Sequence, residues 1–277
     1  MVEKGAIGKQ LTLTLALGSI SVACGARTEL DVTLTHSTRS LPIDGGSTGG
    51  HSGTECPGTA GPAMVRLPEG FCIDSTEVTR AQYRMWLDTN PSTAGQISIC
   101  ATNITFTPDA SCVTRACHSN CDDHPQVCVD WCDAHAYCNA VGKRLCGKIG
   151  GGSLSGYEFA DVSLSQWFDA CASRSTKSFT YGNAYQPGTC NDYEFGANTT
   201  VPVGSLVGCQ SPDPRYSGVY DLTGNAQEWE DSCTDASFCH IRGGDYGTAG
   251  DTGTVCNADT RTARDSASHY TGFRCCS

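Results

Sequence analysis

Residues 242–264, RGGDYGTAGDTGTVCNADTRTAR, hold a glycine pair, an aromatic, one lone cysteine (Cys256) and a closing arginine (Arg264). The run has the look of a reaction centre. A cysteine can serve as a nucleophile or a soft metal ligand when ionised. The bland alternative is half of a disulfide. A second candidate is DLTGNAQE, residues 221–228. Calcium takes several oxygens at about 2.3–2.6 Å. Asp221 and Glu228 would supply carboxylates, with carbonyls from Gly224 and Ala226. Its alternative is a buried turn with Glu228 in an ordinary ion pair. The third is CHSNCDDHPQVCVDWC, where Cys117, Cys121, His124, Cys128 and Cys132 crowd together. That composition would suit zinc in a reducing compartment and disulfides in an oxidising one.

Three helices are expected to position these groups. One follows Thr79, with Gln82 closing a capping box and Tyr83, Trp86 and Leu87 on one side. One begins at Asp130, with Trp131, Ala134, Cys138 and Val141 recurring at helical spacing until Gly142 ends it. One starts at Ser163 with Gln166 as its box partner, burying Leu164, Trp167, Phe168 and Cys171. GVYDL (218–222) and FCHIRGG (238–244) are the expected strands. The rest reads as short strands and long loops, which disulfides and a bound ion would keep in order.

Composition decides the compartment. The chain has 277 residues, 19 cysteines, 32 glycines and a net charge of −11. So many cysteines imply an oxidising environment. The negative charge argues against nucleic acid, which requires Lys/Arg stripes. Lys4 and Lys9 precede LTLTLALGSISVA, an apolar stretch of 13 residues, too short to span a bilayer. It ends at SVACG, so residues 1–24 are expected to form a lipoprotein-type signal peptide, with lipid on Cys24. The expected location is therefore export with membrane anchoring, periplasmic or at the cell surface, or otherwise secretion. Removing Cys24 from the count leaves an even 18 cysteines, as full pairing requires. Residues 25–62 are rich in Gly, Ser and Thr and are expected to be a flexible linker, stapled near its end by Cys56. Residues 63–277 are expected to form a single domain. No G-x-S-x-G, H-E-x-x-H or phosphate-binding loop is present.

Five segments then fall in one order: MVRLPEGFCIDSTEVTRAQYRMWL, HPQVCVDWCDAHAYCNAVGKRL, GVYDLTGNAQEWEDS, IRGGDY and TGFRC. Together they resemble the formylglycine-generating enzyme, or sulfatase-modifying factor, family. The resemblance implies an α+β domain of low regular content, related to the C-type lectin fold and here disulfide-rich. Active members oxidise a sulfatase cysteine to formylglycine with copper and molecular oxygen. It implies calcium at Asp221, Gly224, Ala226 and Glu228, and a second calcium site beginning at Asn191–Asp192.

The resemblance also exposes a departure. The family holds copper between two cysteines five residues apart. Cys256 matches the second, because Arg264 follows eight residues later. Counting back places Asp251 at the first position. Counting forward from the glycine pair places Thr248 there. Asp245 replaces the serine that tunes reactivity in the family. One thiolate beside carboxylates is a poor copper(I) site. Cys256 is therefore expected in a structural disulfide, and adjacent Cys275 and Cys276 are expected to bond to different partners. Trp229, Arg242, Phe273 and Arg274 are expected to hold the fold, with Arg264 the best candidate for substrate contact. The expected function is a binding module whose GTAGDTGTVC loop (247–256) meets an unknown protein, peptide or glycan. The alternative is an active copper- and oxygen-dependent oxidase of protein cysteines, with Cys256 and Arg264 catalytic.

Overall fold

In a computed structural model, residues 56–58, 60–235 and 237–277 are described. The expected signal peptide, Cys24 and most of the expected linker lie outside them. The described residues belong to one compact unit. Two small sheets carry the strands. The first has the order β1-β2-β9-β3, from β1 (Met64–Arg66), β2 (Cys72–Asp74), β3 (Arg144–Leu145) and β9 (Cys275–Cys276). The second runs β4-β5-β6-β7, from β4 (Leu154–Ser155), β5 (Gln227–Cys233), β6 (Phe238–Arg242) and β7 (Thr260–Ala263). There β8 (Thr271–Phe273) also pairs with β5, in parallel. The architecture is the expected α+β, loop-rich type.

Helix α1 (Arg80–Leu87) starts at Thr79, whose side chain accepts from the Gln82 amide while Gln82 Oε1 accepts from the Thr79 amide at 2.9 Å. It buries Tyr83 and Trp86 against Tyr137 and Phe106. Helix α3 (Trp131–Ala140) is capped reciprocally by Asp130 and Asp133, and Gly142 at φ +73° lies just beyond its end. Helix α4 (Gln166–Ala172) begins later than the sequence predicts. The Ser163 amide and hydroxyl both turn to Asp161 Oδ1, so Ser165 becomes the cap. Gln166 closes no box, since its amide bonds Gly147 N–H and the Ser277 carbonyl instead. Helix α2 (Ala110–Ala116) was not expected; Asp109 caps it by accepting from Cys112 N–H.

GVYDL is not a strand. Tyr220 forms one isolated bridge to Gln210, and Asp221 turns to φ +61°, which ends extended pairing. FCHIR is β6, and Gly243 at φ +89° stops it.

Nine disulfides use all 18 cysteines from Cys56 onward. The cysteines of the 117–132 cluster bond as Cys117–Cys121, Cys112–Cys128 and Cys100–Cys132. Cys275 and Cys276 split between Cys138 and Cys146, because neighbours on a strand face opposite sides of the sheet. Cys56 bonds Cys72.

Candidate functional site

Strand β6 carries the chain to Arg242 and the glycine pair. Arg242 is buried, and its guanidinium lies 5.0–5.8 Å from the ring centroids of Phe159, Trp167 and Phe168. It donates to the Cys256 carbonyl at 2.7 Å and stands 3.5 Å from the buried Glu230 carboxylate. Gly243 is obligatory: a Cβ there would sit 2.8 Å from the Leu222 carbonyl oxygen, at a positive φ. Cys256 itself is buried and bonded to Cys171 of α4, with the Cα atoms 5.6 Å apart. Between these fixed ends the loop supports itself. Gly247 N–H donates to Asp245 Oδ1 at 2.7 Å, and Asp245 N–H donates to Thr248 Oγ1 at 3.0 Å. Burial pushes the Asp245 carboxyl above its ordinary pKa.

This donor set does not fit copper(I). The Cys256 sulfur is spent in a disulfide, and neither Thr248 nor Asp251 brings sulfur. Arg264 stands at the entrance to α3. Its carbonyl accepts from Trp131 N–H and its amide donates to Ser237. Its buried Nη1 has no partner among the described residues.

Beneath the loop lies a polar hub that brings the two expected calcium segments together. Asn225 is at its centre. Its amide N–H donates to the Asn191 carbonyl at 2.8 Å, and its side chain donates to Glu77 at 2.9 Å and accepts from Asn191 Nδ2 at 3.0 Å. The Asn225 carbonyl accepts from Tyr246 N–H in the reactive-type loop. Gly224 at φ +81° lets the turn approach Asn191, where a Cβ would lie 2.6 Å from the carbonyl oxygen. The hub was only half visible beforehand. Sequence reasoning missed Glu77 and Asn225, since neither stands out by type from the polar residues beside it.

Of the expected ligands, Glu228 is already committed. Arg274 donates to both its oxygens at 2.7 Å, and Trp167 Nε1 adds a third bond at 2.8 Å. Asp221 Oδ2 accepts from Gly204 N–H at 2.6 Å, and desolvation lifts its pKa to about 6. Ala226 is buried beside this turn, and Asp192 accepts from Phe195 N–H. Two buried oxygens of the hub, Asn191 Oδ1 and Glu77 Oε2, have no hydrogen-bond partner among the described residues. Burial raises the Glu77 pKa well above the usual range, with Asp221 adding to the effect. Among the described residues, no three His, Cys, Asp or Glu side chains converge as a metal-holding group. The orphaned Asn191 oxygen is thus available to a cation, whereas the Glu228 carboxylate is taken up by Arg274 and Trp167.

On the outer side, the turn 193–195 abuts the loop. Tyr193 N–H donates to the Thr248 carbonyl, and Gly250 N–H donates to Glu194. Tyr193 and Phe195 are exposed, and the Tyr185 hydroxyl lies 2.7 Å from both Asp192 Oδ2 and Glu194 Oε2. A cleft of about 210 Å³ opens between Phe168, Lys177 and Cys256.

Comparison with known proteins bears on the family and the fold. The model of the sulfatase-modifying factor enzyme 1-like domain matches residues 32–277. A bovine (Bos taurus) protein named inactive C-alpha-formylglycine-generating enzyme 2 is 30% identical over 56% of this chain and 50% of its own length. Bovine formylglycine-generating enzyme is 29% identical over 39% of this chain and 26% of its own. The chain thus spans half or less of the curated relatives it matches. Among solved structures, PvdO from Pseudomonas aeruginosa shares the fold, with a TM-score of 0.52 and 21% identity over 74% of this chain and 79% of that one.

Proposed function

Because this chain belongs to the sulfatase-modifying factor enzyme 1-like family, we propose that it is an exported, catalytically silent member acting as a binding module. One observation carries the reading: the surviving loop cysteine is locked to Cys171 and buried. A thiol in a buried disulfide is neither a nucleophile nor a copper ligand. The loop's remaining assets are shape and surface. Residues 247–255, with Tyr193, Glu194 and Phe195 beside them, make the recognition face for a protein, peptide or glycan. Nine disulfides support an oxidising location, with the signal peptide of residues 1–24 and lipid on Cys24 as the proposed route and anchor. Calcium is proposed to bind at the hub through Asn191 and Asp221. It would neutralise part of the buried acidic charge there, while this chain's own residues hold the turn and the loop base in place.

The test uses a sulfatase-type Cys-x-Pro-x-Arg peptide with copper and oxygen, followed by mass spectrometry. No formylglycine mass change is expected. A mass change that disappears in Cys256→Ala sinks the proposal. A second reading, an active oxidase of protein cysteines, is favoured by one geometric fact: Cys171 lies within bonding reach, so reduction would leave two thiols side by side. A tight copper(I) site in the reduced domain that needs both cysteines would support it. For calcium, EDTA should lower the melting temperature of the parent and leave that of Asn191→Ala unchanged; an equal response in both removes Asn191 from the site.

A further inference from the structure

Away from the loop and hub, a cavity of about 390 Å³ opens between the end of α1, the segment 91–106 and the outer face of α3. That volume is in the range of small-molecule sites, which run from roughly 300 to 1,000 Å³. Its base is aromatic: Trp86 and Phe106 pack with centroids 5.0 Å apart. Its walls are built to stay. Cys100 lines the cavity and is bonded to Cys132 of α3, so the covering segment is tied to the helix below it. None of the lining residues is Asp, Glu, Lys or Arg, and residues 90–108 contain no such residue at all. His135 also lines it, stacked on Trp131, and burial holds its imidazole below the ordinary pKa.

The indole nitrogens supply the second observation. Trp131, Trp167 and Trp229 donate to Glu230 O, Glu228 Oε2 and Val129 O, respectively. Trp86 lines the cavity, and its indole N–H, which makes no hydrogen bond to protein among the described residues, stays accessible to a ligand or to water. An accessible indole N–H beside an aromatic floor offers a ligand one directional hydrogen bond. We propose that this cavity binds a small, uncharged aromatic molecule bearing a hydrogen-bond acceptor, which takes the Trp86 N–H while its ring lies against Trp86 and Phe106. Charged ligands are disfavoured because nothing in the lining compensates a desolvated charge. The site shares no residue with the loop or hub, so it stands or falls independently of the proposed function.

The test is fluorescence titration of the full chain with prodan, a neutral naphthalene ketone. Saturable one-to-one binding with a blue-shifted emission is expected. Ala136→Trp, which fills the cavity from a half-exposed helix position, should weaken it by about tenfold or more. Trp86→Phe should weaken prodan by about three- to tenfold, the worth of one hydrogen bond, and leave a naphthalene analogue lacking the ketone unchanged. Absent or non-saturable binding, unchanged affinity in Ala136→Trp, or equal losses for both dyes in Trp86→Phe would each overturn the assignment. So would a carboxylate-bearing analogue that binds as tightly as prodan.

Discussion

Removing the Cys171–Cys256 bond should cost this domain about 4–5 kcal/mol, a large share of the 5–15 kcal/mol that holds a typical domain. The cysteines are 85 residues apart in sequence. In the chain-entropy account, closing a loop of that length is worth about 4.6 kcal/mol at 25 °C. The Cys146–Cys276 bond already provides a shorter path between the two points, roughly half as long, which reduces the figure only to about 4 kcal/mol because the dependence is logarithmic. Both residues are buried, so alanine at each adds a small cavity worth up to about 1 kcal/mol. The assay is urea unfolding of Cys171→Ala/Cys256→Ala against the parent under non-reducing conditions. Either single variant should lose nearly as much as the double, since the cross-link is lost once. A double variant within about 1 kcal/mol of the parent, or a native parent in which Cys256 is alkylated by iodoacetamide, would refute both the bond and the loss of chemistry inferred from it.

Other outcomes follow from the buried charges and the tight backbone approaches. Arg274→Met strands Glu228 and leaves Glu77 and Asp221 without their nearest cation, so a loss of about 3–5 kcal/mol is expected, with partial recovery when Glu228→Gln is added. Chemical denaturation checks both. Gly243→Ala should cost several kcal/mol, and Gly250→Ala, also at positive φ but in open space, distinctly less; thermal melts in parallel decide it. Burial and the neighbouring Glu69 raise the Asp169 carboxyl to about 8. A carboxyl raised in the folded state favours folding while protonated, so its contribution is complete below about pH 4 and lost as pH rises through about 8. Melting temperature should therefore decline across that window, and Asp169→Asn should flatten the decline; an identical pH profile in the variant removes Asp169 as its source.

How far the sequence could be read depended on the range of the interaction. The α1 start was legible because Thr79 and its partner Gln82 lie three residues apart, and the α3 start because apolar residues recur at helical spacing after Asp130. The start of α4 was misplaced by two residues because Ser163 and Ser165 are equivalent cap candidates by type, and they are separated by the turn of Ser163 to Asp161 and by the contacts of Gln166 with the distant Gly147 and Ser277. The α+β class and the complete pairing of 18 cysteines could be anticipated; which cysteine meets which could not, since Cys171 and Cys256 are joined by tertiary packing alone. The GVYDL segment failed for a local reason: its alternation of residue types favours a strand, but Asp221 adopts a left-handed conformation that lets its carboxylate reach Gly204 N–H. Asn225, the centre of the hub, carried no signal beyond its place after a glycine, because its partners come from three separate segments.

The hub and the disulfide together hold the 242–256 loop by its two ends. Arg242 bonds the Cys256 carbonyl, Gly243 accepts from Gly224 N–H, and Asn225 accepts from Tyr246 N–H, so both ends of the loop are anchored to the most buried polar groups of the domain. The stretch between them, 247–255, is held by its own Thr and Gly contacts and by the 193–194 turn. Substitutions at the exposed Ala249, Asp251 and Thr252 do not reach the core, whereas those at the buried Thr254, at Arg242, Glu228 or Arg274 do. Arg274 bonds the Asp74 and Tyr220 carbonyls as well as Glu228, so it joins β2 and β5 to the turn below the loop. The residues that the family resemblance singles out are thus mostly framework. If the proposed binding role holds, specificity comes from exposed groups at or beside the loop, such as Tyr193, Glu194 and Asp251, and exchanging residues 249–252 should alter binding while leaving stability nearly intact.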